Sequence, residues 1–106
     1  MIPDNPVWDI PSRVISLLGM PNPLHSPQYE VFRRLLVKAR QESGLTQVEV
    51  AERLEKPQSF VSKIERGERR LDFPEFIRLA DALGIDTETF IGSYREEIAD
   101  LGHHLL

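Results

Sequence analysis

Four side chains with hydrogen-bonding groups gather in one short segment of the sequence, PQSFVSKIERG. They supply, in order, an amide, two hydroxyls and an ammonium group: Gln58, Ser59, Ser62 and Lys63. Helical spacing places all four on one face, opposite the apolar pair Val61 and Ile64. Groups of this kind recognise a partner by donating and accepting hydrogen bonds, and a core gains nothing from them. The pattern therefore indicates a surface that meets something outside the protein.

Positive charge is concentrated in the same part of the chain. The protein as a whole has a formal net charge of −4 and a pI of about 5.3, which argues against coating nucleic acid through bulk charge. Residues 53–70 nevertheless contain six basic and three acidic side chains, whereas residues 86–106 contain one basic and five acidic ones. The hydrogen-bonding segment thus lies within the basic region of an acidic chain.

Composition and motifs exclude several classes of protein. The chain has 106 residues, 41% hydrophobic and 28% charged, which is typical of one globular domain with room for an additional arm. It contains no cysteine, no apolar run long enough to span a membrane and no signal peptide, so we expect a cytoplasmic protein. His25, His103 and His104 do not form a metal-binding pattern. No catalytic constellation stands out, and we expect neither enzymatic activity nor a cofactor.

The hydrophobic periodicity and the helix caps predict an all-α protein. Five helices are expected from residue 26 onwards: from Pro27, capped by Ser26, to about Glu42; from Thr46, with Glu49 in a capping box, to about Glu55; from Pro57 to Gly67; from Asp72, with Glu75 in a capping box, to Gly84; and from Asp86 onwards. We expect an extended last helix, with residues 93–106 forming an extension of the domain at 26–92.

The first 25 residues are expected to form a separate N-terminal arm. Six of the eight prolines fall within the first 28 residues, which disfavours regular structure there. A short amphipathic segment interrupts this region, with apolar side chains at helical spacing: Ile10, Val14, Leu17 and Leu18. Trp8 lies at the start of this segment, which covers residues 8–18.

The stretch GLTQVEVAERLEKPQSFVSKIERGERRLDFPEFIRLADALGI resembles the phage repressor and Cro type of helix-turn-helix domain, the XRE family. The resemblance covers roughly residues 29–91, and its specific parts occur in order and at the right spacing: GLTQ, Ala51, the pair Val61 and Ile64, and ERG. It implies a compact five-helix, lambda-repressor-like domain. It also implies a sequence-specific regulator of transcription that binds double-stranded DNA.

The resemblance assigns expected roles to individual residues. Gln58, Ser59, Ser62 and Lys63 would contact base edges in the major groove, because the third helix inserts its N-terminal part there. The phosphate contacts would come from five residues: Gln47, Lys56, Arg66, Arg69 and Arg70. Arg40 and Glu65 would form a structural ion pair. For each residue a simpler alternative remains open, namely an ordinary solvated side chain; Arg66 could also neutralise the end of its own helix.

The family usually binds near-palindromic sites as a homodimer, so we expect a second copy as a partner. The candidate dimer residues are a stripe on the last helix, Phe90, Tyr94, Ile98 and Leu101, although the N-terminal arm is an alternative and both could fold back on their own domain. The leading hypothesis is a repressor that acts by occupying its operator. A second hypothesis is an antitoxin-like protein that neutralises a protein partner through its arm, and a third is a scaffold that has lost DNA binding.

Overall fold

Five α-helices make up the part of the chain that the computed structural model describes, residues 26–105 with side chains as far as residue 102. Their bounds are α1 Pro27–Glu42, α2 Gln47–Leu54, α3 Gln58–Glu65, α4 Phe73–Leu83 and α5 Thr87–Leu105. No strand occurs in this described range, and the all-α prediction is confirmed. The expected arm at residues 1–25 and the side chains of His103 and His104 lie outside the described part.

The helix starts follow the capping signals of the sequence. Thr46 accepts a hydrogen bond from the backbone N–H of Glu49 (3.1 Å), whose carboxylate accepts one from the N–H of Thr46 (3.2 Å). Asp72 and Glu75 form the same reciprocal arrangement at the start of α4. These boxes satisfy backbone donors that the first helical turn leaves unpaired. They also fix where α2 and α4 begin, one residue after each cap.

One hydrophobic core lies between the helices. The helix α2 packs against α3 and α4, and α1 packs against α3 and α5. Ten buried residues from all five helices form the core: Leu36, Val50, Ala51, Leu54, Val61, Ile64, Phe76, Leu79, Leu83 and Phe90. The apolar side of α3 therefore rests on this core and its opposite side faces outwards, since residues three and four apart share a helix face.

An aromatic cluster connects α1, α4 and α5. The ring centroid of Phe32 lies 5.5 Å from that of Phe76 and 5.9 Å from that of Phe90, and Phe76 lies 5.1 Å from Phe90. Phe90 is 8% exposed. Its apolar character is thus explained by the core of its own domain, and little of its side chain remains available to a second copy.

The turn between α2 and α3 contains a left-handed residue that is not glycine. Glu55 has φ 56° and ψ 42°, and the N–H groups of Glu55 and Lys56 donate to the carbonyls of Glu52 and Ala51 at 3.1 and 3.0 Å. This closure ends α2 at Leu54, one residue earlier than expected from the sequence. A left-handed conformation disfavours a residue with a Cβ atom, whereas glycine adopts it freely.

We therefore expect Glu55→Gly to increase the free energy of unfolding by about 1 kcal/mol, because it removes the steric cost of the left-handed turn. The measurement is urea unfolding followed by circular dichroism. The matched control is Glu52→Gly inside α2, which should instead lower the stability by about 1 kcal/mol. Equal losses in the two variants would contradict this account of the turn.

Candidate nucleic-acid interface

The outward face of α3 presents the four side chains identified from the sequence. Gln58, Ser59 and Lys63 are exposed, and Ser62 is half-buried with its hydroxyl donating to the carbonyl of Ser59 at 3.3 Å. The structure thus brings all four together on one surface. None of them is needed to complete the core, so their amide, hydroxyl and ammonium groups remain accessible to a ligand.

The buried side of α3 fixes the position of this face. Val61 and Ile64 are 3% and 2% exposed, and both belong to the core. Ala51 of the neighbouring helix α2 is 3% exposed. A small side chain at this point permits the backbones of two crossing helices to approach closely. The two helices therefore form one rigid unit in which α3 presents its polar side.

Glu65 connects three helices at the end of α3. Its carboxylate accepts hydrogen bonds from Arg40 of α1, at 2.6 Å from Nε and 3.0 Å from Nη2. It also accepts one from the side-chain amide of Gln47 in α2, at 2.9 Å. The side chains of Arg40 and Glu65 are only 16% and 11% exposed. Arg40 further donates to the carbonyl of Leu45 at 3.0 Å. Glu65 is thus a structural residue that fixes α3 against α1 and α2.

The hydrogen bond between Gln47 and Glu65 also affects the candidate site. Its side-chain amide carries two N–H donors and one oxygen acceptor, and the bond to Glu65 orients that group at the start of α2. The expected phosphate contact of Gln47 would use the one N–H donor that remains. The start of a helix also favours an anion through its partial positive charge.

Two of the expected phosphate contacts are paired with carboxylates of the same chain. Arg66 binds Glu68 at 2.7 Å, with both side chains 55% exposed, so this pair is a surface pair. Arg69 forms a bidentate pair with Glu75, at 3.1 and 2.8 Å. The hydrogen bond from Arg69 lowers the pKa of Glu75 below its ordinary value, and the same bond raises the pKa of Arg69.

Lys56 and Lys63 differ from these arginines. Both are exposed, and neither forms an ion pair within the described part of the chain. Lys56 lies 5.5 Å from the ring centroid of Phe60, and the guanidinium of Arg69 lies 4.6 Å from that ring. Two exposed positive charges without a direct ion pair in the described residues therefore lie at this surface: Lys56 just before α3, and Lys63 on the polar face itself.

Two aromatic residues at this surface were not identified from the sequence. Phe60 is half-buried and organises Lys56 and Arg69 by cation–π contact. In the sequence, the only signal of this role is the position of Phe60 between the basic residues Lys56 and Lys63. Tyr29 of α1 donates its hydroxyl hydrogen to the carbonyl of Arg69 (3.4 Å) and accepts from the N–H of Leu71 (3.1 Å). Burial raises the pKa of Tyr29.

Arg70 stacks on Tyr29, with its guanidinium 5.0 Å from the ring centroid. The loop after α3 is therefore attached to α1 by both the hydroxyl and the ring of Tyr29. Because Arg69 and Arg70 occupy this loop, their positions depend on α1 as well as on α3.

The stripe expected to form a dimer divides into two environments. Phe90 belongs to the core, whereas Tyr94, Ile98 and Leu101 are half-buried on α5. Ile91 adds further apolar surface and is 41% exposed.

Within the described residues, no three side chains are grouped as metal ligands would be. No helix among them has the length and apolar character that crossing a membrane requires.

A short helix attached through a tight turn to a second helix, with its polar face outwards, defines a helix-turn-helix DNA-binding domain. A family profile described as helix-turn-helix matches residues 36–90. The curated proteins include none that matches the chain.

Solved structures give the same result. An XRE-family like protein from Pseudomonas syringae pv. tomato str. DC3000 is 41% identical, with a TM-score of 0.64 over 69% of this chain and 91% of that one. A tyrosine-to-phenylalanine mutant of the restriction-modification controller protein C.Esp1396I is 26% identical, with a TM-score of 0.64 over 70% of this chain and 94% of that one. The chain belongs to the XRE family of helix-turn-helix proteins, which are DNA-binding transcriptional regulators and not enzymes.

Proposed function

We propose that this protein is a dimeric, sequence-specific repressor that acts in the cytoplasm by occupying a near-palindromic operator. The observation that carries this proposal is the polar face of α3, which includes Lys63, is held in place by Glu65 and has Lys56 just before it. Similarity to a protein named as a restriction-modification controller supports a role in regulation.

Base recognition is assigned to four residues of α3: Gln58, Ser59, Ser62 and Lys63. The major groove is about 12 Å wide and accommodates one α-helix. An amide can bind adenine at N6 and N7 through two hydrogen bonds, and a lysine can donate to O6 and N7 of guanine. The position of Gln58 in the first turn suits a base contact, because the N-terminal residues of a recognition helix reach base edges.

Phosphate contacts are assigned to five residues around this face: Gln47, Lys56, Arg66, Arg69 and Arg70. Their contributions should differ. Glu68 and Glu75 partly neutralise the arginines that they bind, so Arg66 and Arg69 should release fewer counterions on binding than Lys56. Lys56 should contribute more than Arg66 or Arg69, because it forms no direct ion pair with a carboxylate of the described residues and Glu75 attracts it only from a longer distance.

The dimer contact is assigned to the exposed parts of Tyr94, Ile98 and Leu101 on α5. A two-fold dimer uses the same patch on both copies, and its two recognition helices enter half-sites about 34 Å apart. Residues 86–106 carry four more acidic than basic side chains. This negative charge should keep the end of α5 away from phosphate and favours its use as a protein contact.

The phosphate contacts are tested by Lys56→Ala. We expect weaker binding to every duplex and a decrease of about one unit in the slope of log K against log salt, because one phosphate contact is lost. The measurement is fluorescence anisotropy of a labelled duplex between low and moderate salt. Arg95→Ala on α5 removes one positive charge far along the sequence from α3 and should leave the slope unchanged. An unchanged slope for Lys56→Ala would contradict the assignment.

A further inference from the structure

An apolar groove of about 430 Å³ lies on the surface where the starts of α1 and α4 meet α5. Its lining is mainly aromatic and aliphatic, and includes Tyr29, Phe32, Phe73, Phe76, Ile91 and Tyr94. Phe73 is 69% exposed and Ile91 is 41% exposed, although both are large apolar residues. A contiguous apolar patch on a soluble domain marks a site for a ligand or a polypeptide segment.

The described chain begins at this groove. Ser26 is one of the residues that line it, so residues 1–25 are attached at its edge. The amphipathic segment at residues 8–18 is separated from Ser26 by residues 19–25. Seven residues span at most about 25 Å when fully extended, which is enough to place the segment over the groove and too little to carry it far away.

We propose that the amphipathic segment at residues 8–18 docks into this groove of its own chain. Five apolar side chains of the segment would cover the exposed surfaces of Phe73 and Ile91: Trp8, Ile10, Val14, Leu17 and Leu18. A tethered segment is present at an effective concentration in the millimolar range, so it outcompetes free partners of similar affinity. The contact would thus join the apolar groove to an apolar segment of the same chain that is attached at the edge of the groove.

Docking would connect the segment to the DNA-binding face. Tyr29 lines the groove and also binds the loop that carries Arg69 and Arg70. An occupied groove would hold Tyr29 in place and thereby restrict that loop. The groove and the dimer contact proposed above share Tyr94, whereas Ile98 and Leu101 do not line the groove and remain available to a second copy.

Tryptophan fluorescence of the full-length chain tests this proposal, because Trp8 is its only tryptophan. The groove variants are Phe73→Asp and Ile91→Asp. Both positions are exposed, and an acidic residue at the start of α4 agrees with the helix dipole, so the fold should be retained. The matched control is Val48→Asp on α2, at an apolar residue that is 45% exposed and lies outside the groove.

We expect wild-type Trp8 to emit at shorter wavelength than free N-acetyltryptophanamide and to resist quenching by acrylamide. Both groove variants should shift the emission to longer wavelength and increase the quenching, and Val48→Asp should change neither. Wild-type emission should not depend on protein concentration. Wild-type emission equal to that of the free compound, or groove variants without effect, would overturn the proposal. Emission that shifts on dilution would also overturn it, because it would identify a second copy as the occupant.

Discussion

Replacing Gln58 by alanine is expected to cost about 1–3 kcal/mol of binding free energy at one base position of the operator. The side chain is exposed in the first turn of α3 and makes no contact that the core requires. Its loss should therefore remove one bidentate base contact and leave the fold unchanged. Discrimination among the four bases should relax at that position only. The measurement is competition binding against operators that are substituted one base pair at a time.

Gln41→Ala provides the matched control for Gln58. Gln41 is an exposed glutamine on α1, outside the outward face of α3, and its replacement should preserve discrimination at every operator position. If Gln58→Ala instead weakened all sequences equally, its contact would be with phosphate, and the assignment of Gln58 as a base-reading residue would be wrong.

Glu65→Gln is expected to lower the free energy of unfolding by about 3 kcal/mol, because removing one partner of a mostly buried pair leaves Arg40 without a counter-charge. The amide of glutamine also brings N–H groups towards Arg40 and Gln47, which are themselves donors at this point. The measurement is urea unfolding followed by circular dichroism. In the absence of urea, the base preference of the variant should equal that of the wild type, because we expect no contact between Glu65 and DNA.

The control for Glu65 is Glu68→Gln three residues further along. It breaks the pair with Arg66, in which both side chains are 55% exposed, and surface pairs contribute about 0–1 kcal/mol. The comparison therefore separates the effect on stability of breaking a mostly buried ion pair from the effect of removing a carboxylate at the surface. Equal losses in the two variants would show that the contacts of Glu65 with α1 and α2 add nothing to stability.

Local signals predict much of this fold. Capping boxes at Thr46 and Asp72 define the starts of α2 and α4, because they satisfy backbone donors within four consecutive residues. Gly67 and Gly84 have positive φ, as expected of residues that follow a helix. The polar face of α3 is equally local, since it depends only on the helical spacing between residues 58 and 63.

Other features depend on how the turns close and how the helices assemble, and helical periodicity does not predict them. Glu55 adopts the left-handed conformation although glutamate does not favour it. The hydrogen bond from the N–H of Lys56 to the carbonyl of Ala51 closes the turn and thereby determines the backbone conformation of Glu55. The pairing of Arg69 with Glu75 and the contacts of Tyr29 with the 69–71 loop likewise require the assembled domain.

The last helix shows the same limit. Phe90 and Tyr94 share one stripe in the sequence, yet only Phe90 enters the aromatic cluster of the core. Helical spacing identifies an apolar face, but it does not distinguish the part that covers its own domain from the part that remains exposed. That distinction depends on which part of α5 packs against Phe32 of α1 and Phe76 of α4.

Selection of bound duplexes from a random DNA pool, repeated at low and moderate salt, tests the central claim most directly. A dimer that presents two α3 helices should enrich an inverted repeat, with half-sites about 10 base pairs apart, and this sequence should survive the higher salt. Enrichment of no sequence, or binding that disappears uniformly as salt increases, would contradict sequence reading by α3, because phosphate contacts alone behave in that way.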